Sequence, residues 1–142
     1  MLTSNIHLKG RVQAYLGEIL VADFHNLVVT VGKRYVAQRL IDNSMAPIDH
    51  IGVGTNGALP SLAQEDLLTP LDGRQAATGV RSGTIARFTA SFAAGVATGS
   101  LVEAGLFNAA AGGTMLSRVV FPTAIVKPAD QALTLVWSVS MI

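Results

Sequence analysis

The side chains in this chain that could do chemistry are few, and their spacing does not gather them. The histidines are His7, His25 and His50. Asp23 and His25 are two apart in an alternating stretch and so share a face, whereas Asp49 and His50 are adjacent and point to opposite faces of a strand. A metal site needs three or four converging ligands, and neither pair grows into one. The run IGVGTNG at 51–57 has the letters of G-x-G-x-x-G. It lacks the lysine of a phosphate-binding loop, and Pro60 stands where a helix would have to start, so it reads as a tight turn leaving a strand. Glu65 and Asp66 are neighbours in a polar loop, solvated rather than set apart in pKa as an acid–base pair requires. No serine lies in G-x-S-x-G, and there is no cysteine to serve as nucleophile, thiolate ligand or disulfide. These residues predict no enzyme, no metal and no cofactor.

Composition points instead to a surface. Only 13% of the 142 residues are charged, against about 25% in an ordinary soluble domain. Half are hydrophobic, and the net charge is +1. The basic residues are scattered, with only Lys33 and Arg34 adjacent, so no stripe for direct nucleic-acid binding forms. No apolar run reaches the 18 residues of a membrane helix, and the opening MLTSNIHLKGR lacks a basic-then-apolar leader pattern. The strands are too few and too poor in aromatic girdles for an outer-membrane barrel. A chain with so little charge and no membrane partner is expected to cover its surface with other protein.

The elements that would build that surface follow from periodicity. Residues 6–16 alternate, with Ile6, Leu8, Val12, Ala14 and Leu16 on one side and His7, Lys9, Arg11, Gln13 and Tyr15 on the other. Gly17-Glu18 makes a two-residue turn into a second strand over 19–29. The period then changes. Thr30 is positioned to cap a helix over 31–42, whose apolar side carries Val31, Tyr35, Val36, Leu40 and Ile41, and Pro47 bars its continuation. A strand over 48–54 leads into a long polar loop, 55–73, with one possible helical turn at 61–68. A loop of that length in a compact chain is functional or packed on a neighbour.

From residue 81 onward the pattern is sheet. Ala86, Phe88, Ala90 and Phe92 face inward, as do Val102, Ala104 and Leu106, with Glu103 outward. A strand over 115–121 is stopped by Pro122. The last strand alternates Leu133, Leu135, Trp137, Val139 and Met141 with Thr134, Val136, Ser138 and Ser140. Seven or eight strands and one short helix, with no repeat and no linker, predict a single mainly-β domain over 1–142. It would be a jelly-roll-like two-sheet β-sandwich, with an N-terminal hairpin and helix (6–42) and a β-rich remainder (48–142).

Four phrases in fixed order carry a resemblance: HIGVGTNG and its polar loop to Leu67-Leu68, ARFTASFAAGVATGSLVEAGLFN, AAAGGTMLSRVVFP, and the terminal LTLVWSVSMI. Over 48–142 the chain resembles small virion structural proteins of tailed bacteriophages, and is similar in size and character to the capsid cement (decoration) proteins of short-tailed Bordetella phages. The resemblance implies a homodimeric jelly-roll-like sandwich on the outside of the assembled head, bridging major-capsid subunits. It would be made in the host cytoplasm and end in the virion, on the capsid surface. It implies no catalytic residue. A tail-fibre, baseplate or host-recognition accessory is the alternative within the same family. The candidate protein contacts are Lys9, Arg11 and Tyr15 on the first strand and Thr55, Asn56, Leu59, Glu65 and Leu68 on the long loop.

Overall fold

A computed structural model describes residues 4–142. Its elements are β1 (Leu8–Leu16), β2 (Ile19–His25), β3 (Leu27–Val28), α1 (Thr30–Ile41), β4 (His50–Gly54), β5 (Gln75–Ala76), β6 (Thr78–Ser82), β7 (Ile85–Phe92), β8 (Gly99–Phe107), β9 (Met115–Lys127) and β10 (Leu133–Met141). The strands form two antiparallel five-stranded sheets, ordered β2-β1-β10-β7-β6 and β3-β9-β8-β4-β5. The mainly-β, two-sheet sandwich with one short helix is therefore the observed architecture.

Its connectivity is that of a folded-over ribbon. β1 pairs with β10, β3 with β9, β4 with β8, and β6 with β7, so early strands pair with late ones in nested order. A jelly roll nests its strands in the same way, but passes successive pairs alternately from sheet to sheet. Here β4–β8 stays in the sheet of β3–β9, and β6–β7 joins β1–β10.

The period-two alternation in the sequence places the core. Val12 and Ala14 of β1, Ala90 and Phe92 of β7, and Leu133, Leu135, Trp137 and Val139 of β10 face Ile51, Val53, Leu101, Ala104, Leu106, Val119, Phe121 and Ile125 of the other sheet. Trp137 is fully buried, and its indole Nε1 has no hydrogen-bond partner, so it contributes through packing alone. The Gly17-Glu18 turn forms as expected, joining Leu16 to Ile19 with Gly17 at φ +57°.

Four local expectations change. The strand expected over 19–29 breaks at Asn26, where the chain crosses from the first sheet to the second. Asn26 N–H donates to the Gly10 carbonyl, and its side chain occupies the space a Cβ on Gly10 would need. The helix begins at Thr30 without a side-chain cap. The Thr30 N–H donates instead to Leu62 O in the long loop. Only Gly32 and Tyr35 of the helix are buried, because Gly32 rests against the Leu116 carbonyl of β9. The last turn runs past the sandwich, leaving Leu40 84% and Ile41 78% exposed rather than on a packed face. Finally, Pro122 does not stop β9. Register against β8 slips between Leu101 and Glu103, so Pro122 lies in an irregular stretch where the ladder asks for no N–H.

Trp137→Ala is expected to lower the unfolding free energy by about 3–5 kcal/mol, read by urea denaturation. A near-neutral result would place the last strand in the opposite parity.

Candidate functional site

The two groups of candidate contact residues lie on different outer faces. Lys9, Arg11 and Tyr15 stand together on the outside of the first sheet. Lys9 and Arg11 are exposed, and Tyr15 is half-buried. The loop 55–73 lies across the outside of the second sheet. The structure thus does not assemble Lys9, Arg11 and Tyr15 with Thr55, Asn56, Leu59, Glu65 and Leu68.

The loop over the second sheet is a fastened strap, and the fastening was not legible as such in the sequence. Glu103 of β8 and Arg118 of β9 point away from the inter-sheet core, as expected for Glu103, yet both side chains are 0% exposed because the strap closes over them. Arg118 Nε donates to Glu103 Oε1 at 3.1 Å. Glu103 also accepts the backbone N–H groups of Asn56 (3.0 Å), Leu68 (2.9 Å) and Thr69 (2.9 Å), which come from both ends of the strap. The Arg118 guanidinium donates to Ala58 O (2.8 Å), Asn56 O (3.1 Å) and Gln64 Oε1 (3.3 Å). These bonds to strap amides, carbonyls and one side-chain oxygen satisfy the two buried charges, which is why a charge pair is tolerated there.

Further ties complete the strap. Thr55 N–H donates to Thr69 O, and Leu71 N–H to Val53 O, closing its base. A single turn forms at 61–64, through Gln64 N–H to Ser61 O, where a helical turn was expected. Leu67 packs with Val29, Phe107 and Met115 into a small second core between strap and sheet. Gly54 and Gly105 are needed under it, since a Cβ at either would overlap Thr69 O or the Phe107 ring. Beside this core, Arg74 lies 3.4 Å over the Phe107 ring and donates to the carbonyls of Ala109 and Gly112. Burial pushes its guanidinium below the ordinary value, opposed by Asp66.

The strap redistributes the candidate residues. Asn56 is structural: its backbone meets both members of the ion pair, its Oδ1 accepts from Ala58 N–H, and its Nδ2 donates to Thr69 Oγ1. Leu68 has a pinned backbone and an exposed side chain. Thr55 and Glu65 are exposed, and Leu59 is 82% exposed. The signal for the missed pair lay in the hairpin around Gly112-Gly113. An acid, Glu103, stands on one arm of it and a base, Arg118, on the other, inside largely apolar strands.

On the other face, Asp23 accepts from Arg11 Nε and Nη2 at 2.7 and 2.5 Å, and from Gln13 at 3.4 Å. Asp23 and His25 share this face, as the spacing requires. Asp49 and His50 do not diverge as expected. Asp49 precedes β4, outside the alternation, and its Oδ1 lies 2.7 Å from His50 Nδ1. Among the described residues no three His, Asp or Glu side chains converge as metal ligands would, and no helix is long and apolar enough to cross a membrane.

Comparison with family models, with curated proteins and with solved structures found no match to this chain.

Glu103→Ala or Arg118→Ala is expected to cost about 3–5 kcal/mol by leaving the other charge buried and unpaired. The same variants should open 55–73 to limited proteolysis; a strap that stays resistant would show that the small apolar core holds it without the charges. For the exposed pair, hydrogen bonding from Arg11 holds the Asp23 carboxyl below its ordinary value of 3.8. A lowered folded-state pKa contributes stability above the unfolded value and loses it as pH falls through the folded one. The melting temperatures of wild type and Asp23→Asn should therefore differ slightly at neutral pH and converge in acid below 3.8.

Proposed function

We propose that this chain is a capsid cement, or decoration, protein of a tailed bacteriophage, binding the outer surface of the assembled head and bridging major-capsid subunits. The observation that carries the reading is the strap. A loop this long is fastened from beneath by a buried ion pair, and it presents exposed Leu59, Leu62 and Leu68 from a fixed backbone. Exposed apolar side chains on a fastened loop suit a protein that ends its life against other proteins. The resemblance of four sequence phrases to phage virion proteins suggests the class of partner.

Self-association belongs to the same reading. β2 is an outermost strand of the first sheet, unpaired on its far side, and it carries exposed Ile19, Leu20 and Val21. Such an edge is a ready template for another strand, and a homodimer formed there would place two straps on one particle. The mechanism is mass action. A protein that binds the closed shell and not its separated subunits stabilises the shell, and many weak contacts on a symmetric lattice reinforce one another.

Purified protein should bind expanded heads of the phage that encodes it and raise their rupture temperature. Cryo-EM of the virion should show its density across capsomer boundaries. Density confined to the tail would assign the fibre or baseplate alternative, and heads that bind none of the protein would sink the cement reading.

A further inference from the structure

The outer face of the first sheet holds cations whose counter-charges this chain does not supply. Cross-strand register sets His25, Arg11, Ser138, Arg87 and Val80 in one row from β2 to β6, with Lys9, Ser140 and Ile85 in the next. Arg11 and Arg87 thus flank the same serine, one strand away on either side. Arg11 is satisfied, since Asp23 takes its guanidinium in a two-pronged grip. Arg87 has no such partner. Its one side-chain bond is a long 3.4 Å donation to Ser138 Oγ, and the strand beyond offers it Val80. Among the described residues, the side chains of Lys9 and His25 make no hydrogen bond or ion pair with another side chain. A shallow cleft of ≈ 270 Å³ runs across these residues, with Gln13, Ser138 and Ser140 adding neutral donors and Ile85 and Ile142 bordering it.

We propose that this face docks an acidic segment of a protein partner, whose carboxylates take on Arg87 and Lys9 the place that Asp23 takes on Arg11. The planar guanidinium fork matches a carboxylate in two parallel hydrogen bonds, and the Arg11–Asp23 pair shows that this sheet accommodates that geometry. Nucleic acid is a poorer occupant. Its affinity grows with the number of phosphates neutralised, and only two permanent cations here are uncommitted. That the partner is the capsid shell rests on the function proposed above; the acidic chemistry does not.

The test uses the full chain in two arms. In the first, backbone amide NMR follows titration with a hexaglutamate peptide and, separately, with a short single-stranded DNA. Saturable shifts at Lys9, Arg87, Ser138 and Ser140 with the peptide are expected. They should be lost in the Lys9→Glu/Arg87→Glu variant and weakened when salt rises from about 50 mM to about 500 mM. No shift on this face, or stronger shifts there with DNA, would overturn the proposal. In the second arm the same variant binds expanded heads. Both side chains are exposed, so its melting temperature should match wild type, while affinity falls about 10-fold or more through like-charge contact. Unchanged affinity overturns the acidic docking face and leaves the cement reading standing. Wild type that ignores heads removes the cement reading, and the peptide titration then decides the face alone.

Discussion

The arrangement of the second sheet depends on the Glu103–Arg118 pair. Two charges fully removed from water are costly to bury, and their mutual attraction seldom repays that cost unaided. Here the cost is offset by the strap. Glu103 accepts from three backbone amides and Arg118, and Arg118 donates to two carbonyls and a glutamine side chain. The dependence runs in both directions. Without the pair, the Asn56, Leu68 and Thr69 amides and the Asn56 and Ala58 carbonyls would lose the partners that tie the strap to the sheet. Without the strap, the pair would be an exposed salt bridge of small value. The result is a loop without regular secondary structure that is nonetheless tied to the sheet through its backbone.

That coupling explains why β8 and β9 read poorly as half-exposed strands. Glu103 to Phe107 and Met115 to Val119 are buried without interruption, because one face meets the inter-sheet core and the other meets strap and helix. Sheets covered on both faces lose the alternation that a solvent-facing sheet displays. Glycines then acquire a positional meaning. Gly54 and Gly105 make room for the strap, Gly32 lets the helix rest on the backbone of β9, and Gly10 lets Asn26 turn the chain from one sheet to the other.

The first sheet follows the opposite logic. Its outer face is open, β1 and β10 alternate cleanly, and its charges are few and arranged in register. The molecule therefore has two unlike surfaces on one core, one built on a fastened loop with exposed leucines, the other polar and basic on bare strands. The sandwich separates these two surfaces by the thickness of its core.

The local pattern of the chain was enough to determine that it is mainly β, that Val12, Ala14, Phe92, Leu133, Leu135 and Trp137 are core, that Gly17-Glu18 is a turn, and that Lys9, Arg11 and Tyr15 share a face. Each of these follows from a period of two or from the conformational freedom of one glycine, and both are properties of neighbouring residues. Tertiary structure alone decided that Glu103 is buried, that Asn56 is an anchor, that Leu40 and Ile41 are exposed, and that Pro122 lies within a strand. In each case the deciding contact comes from residues remote in sequence: the strap over Glu103, the end of the sandwich short of Leu40, the register slip beside Pro122. A residue's parity states which way it points, but what lies in that direction is supplied by the rest of the fold.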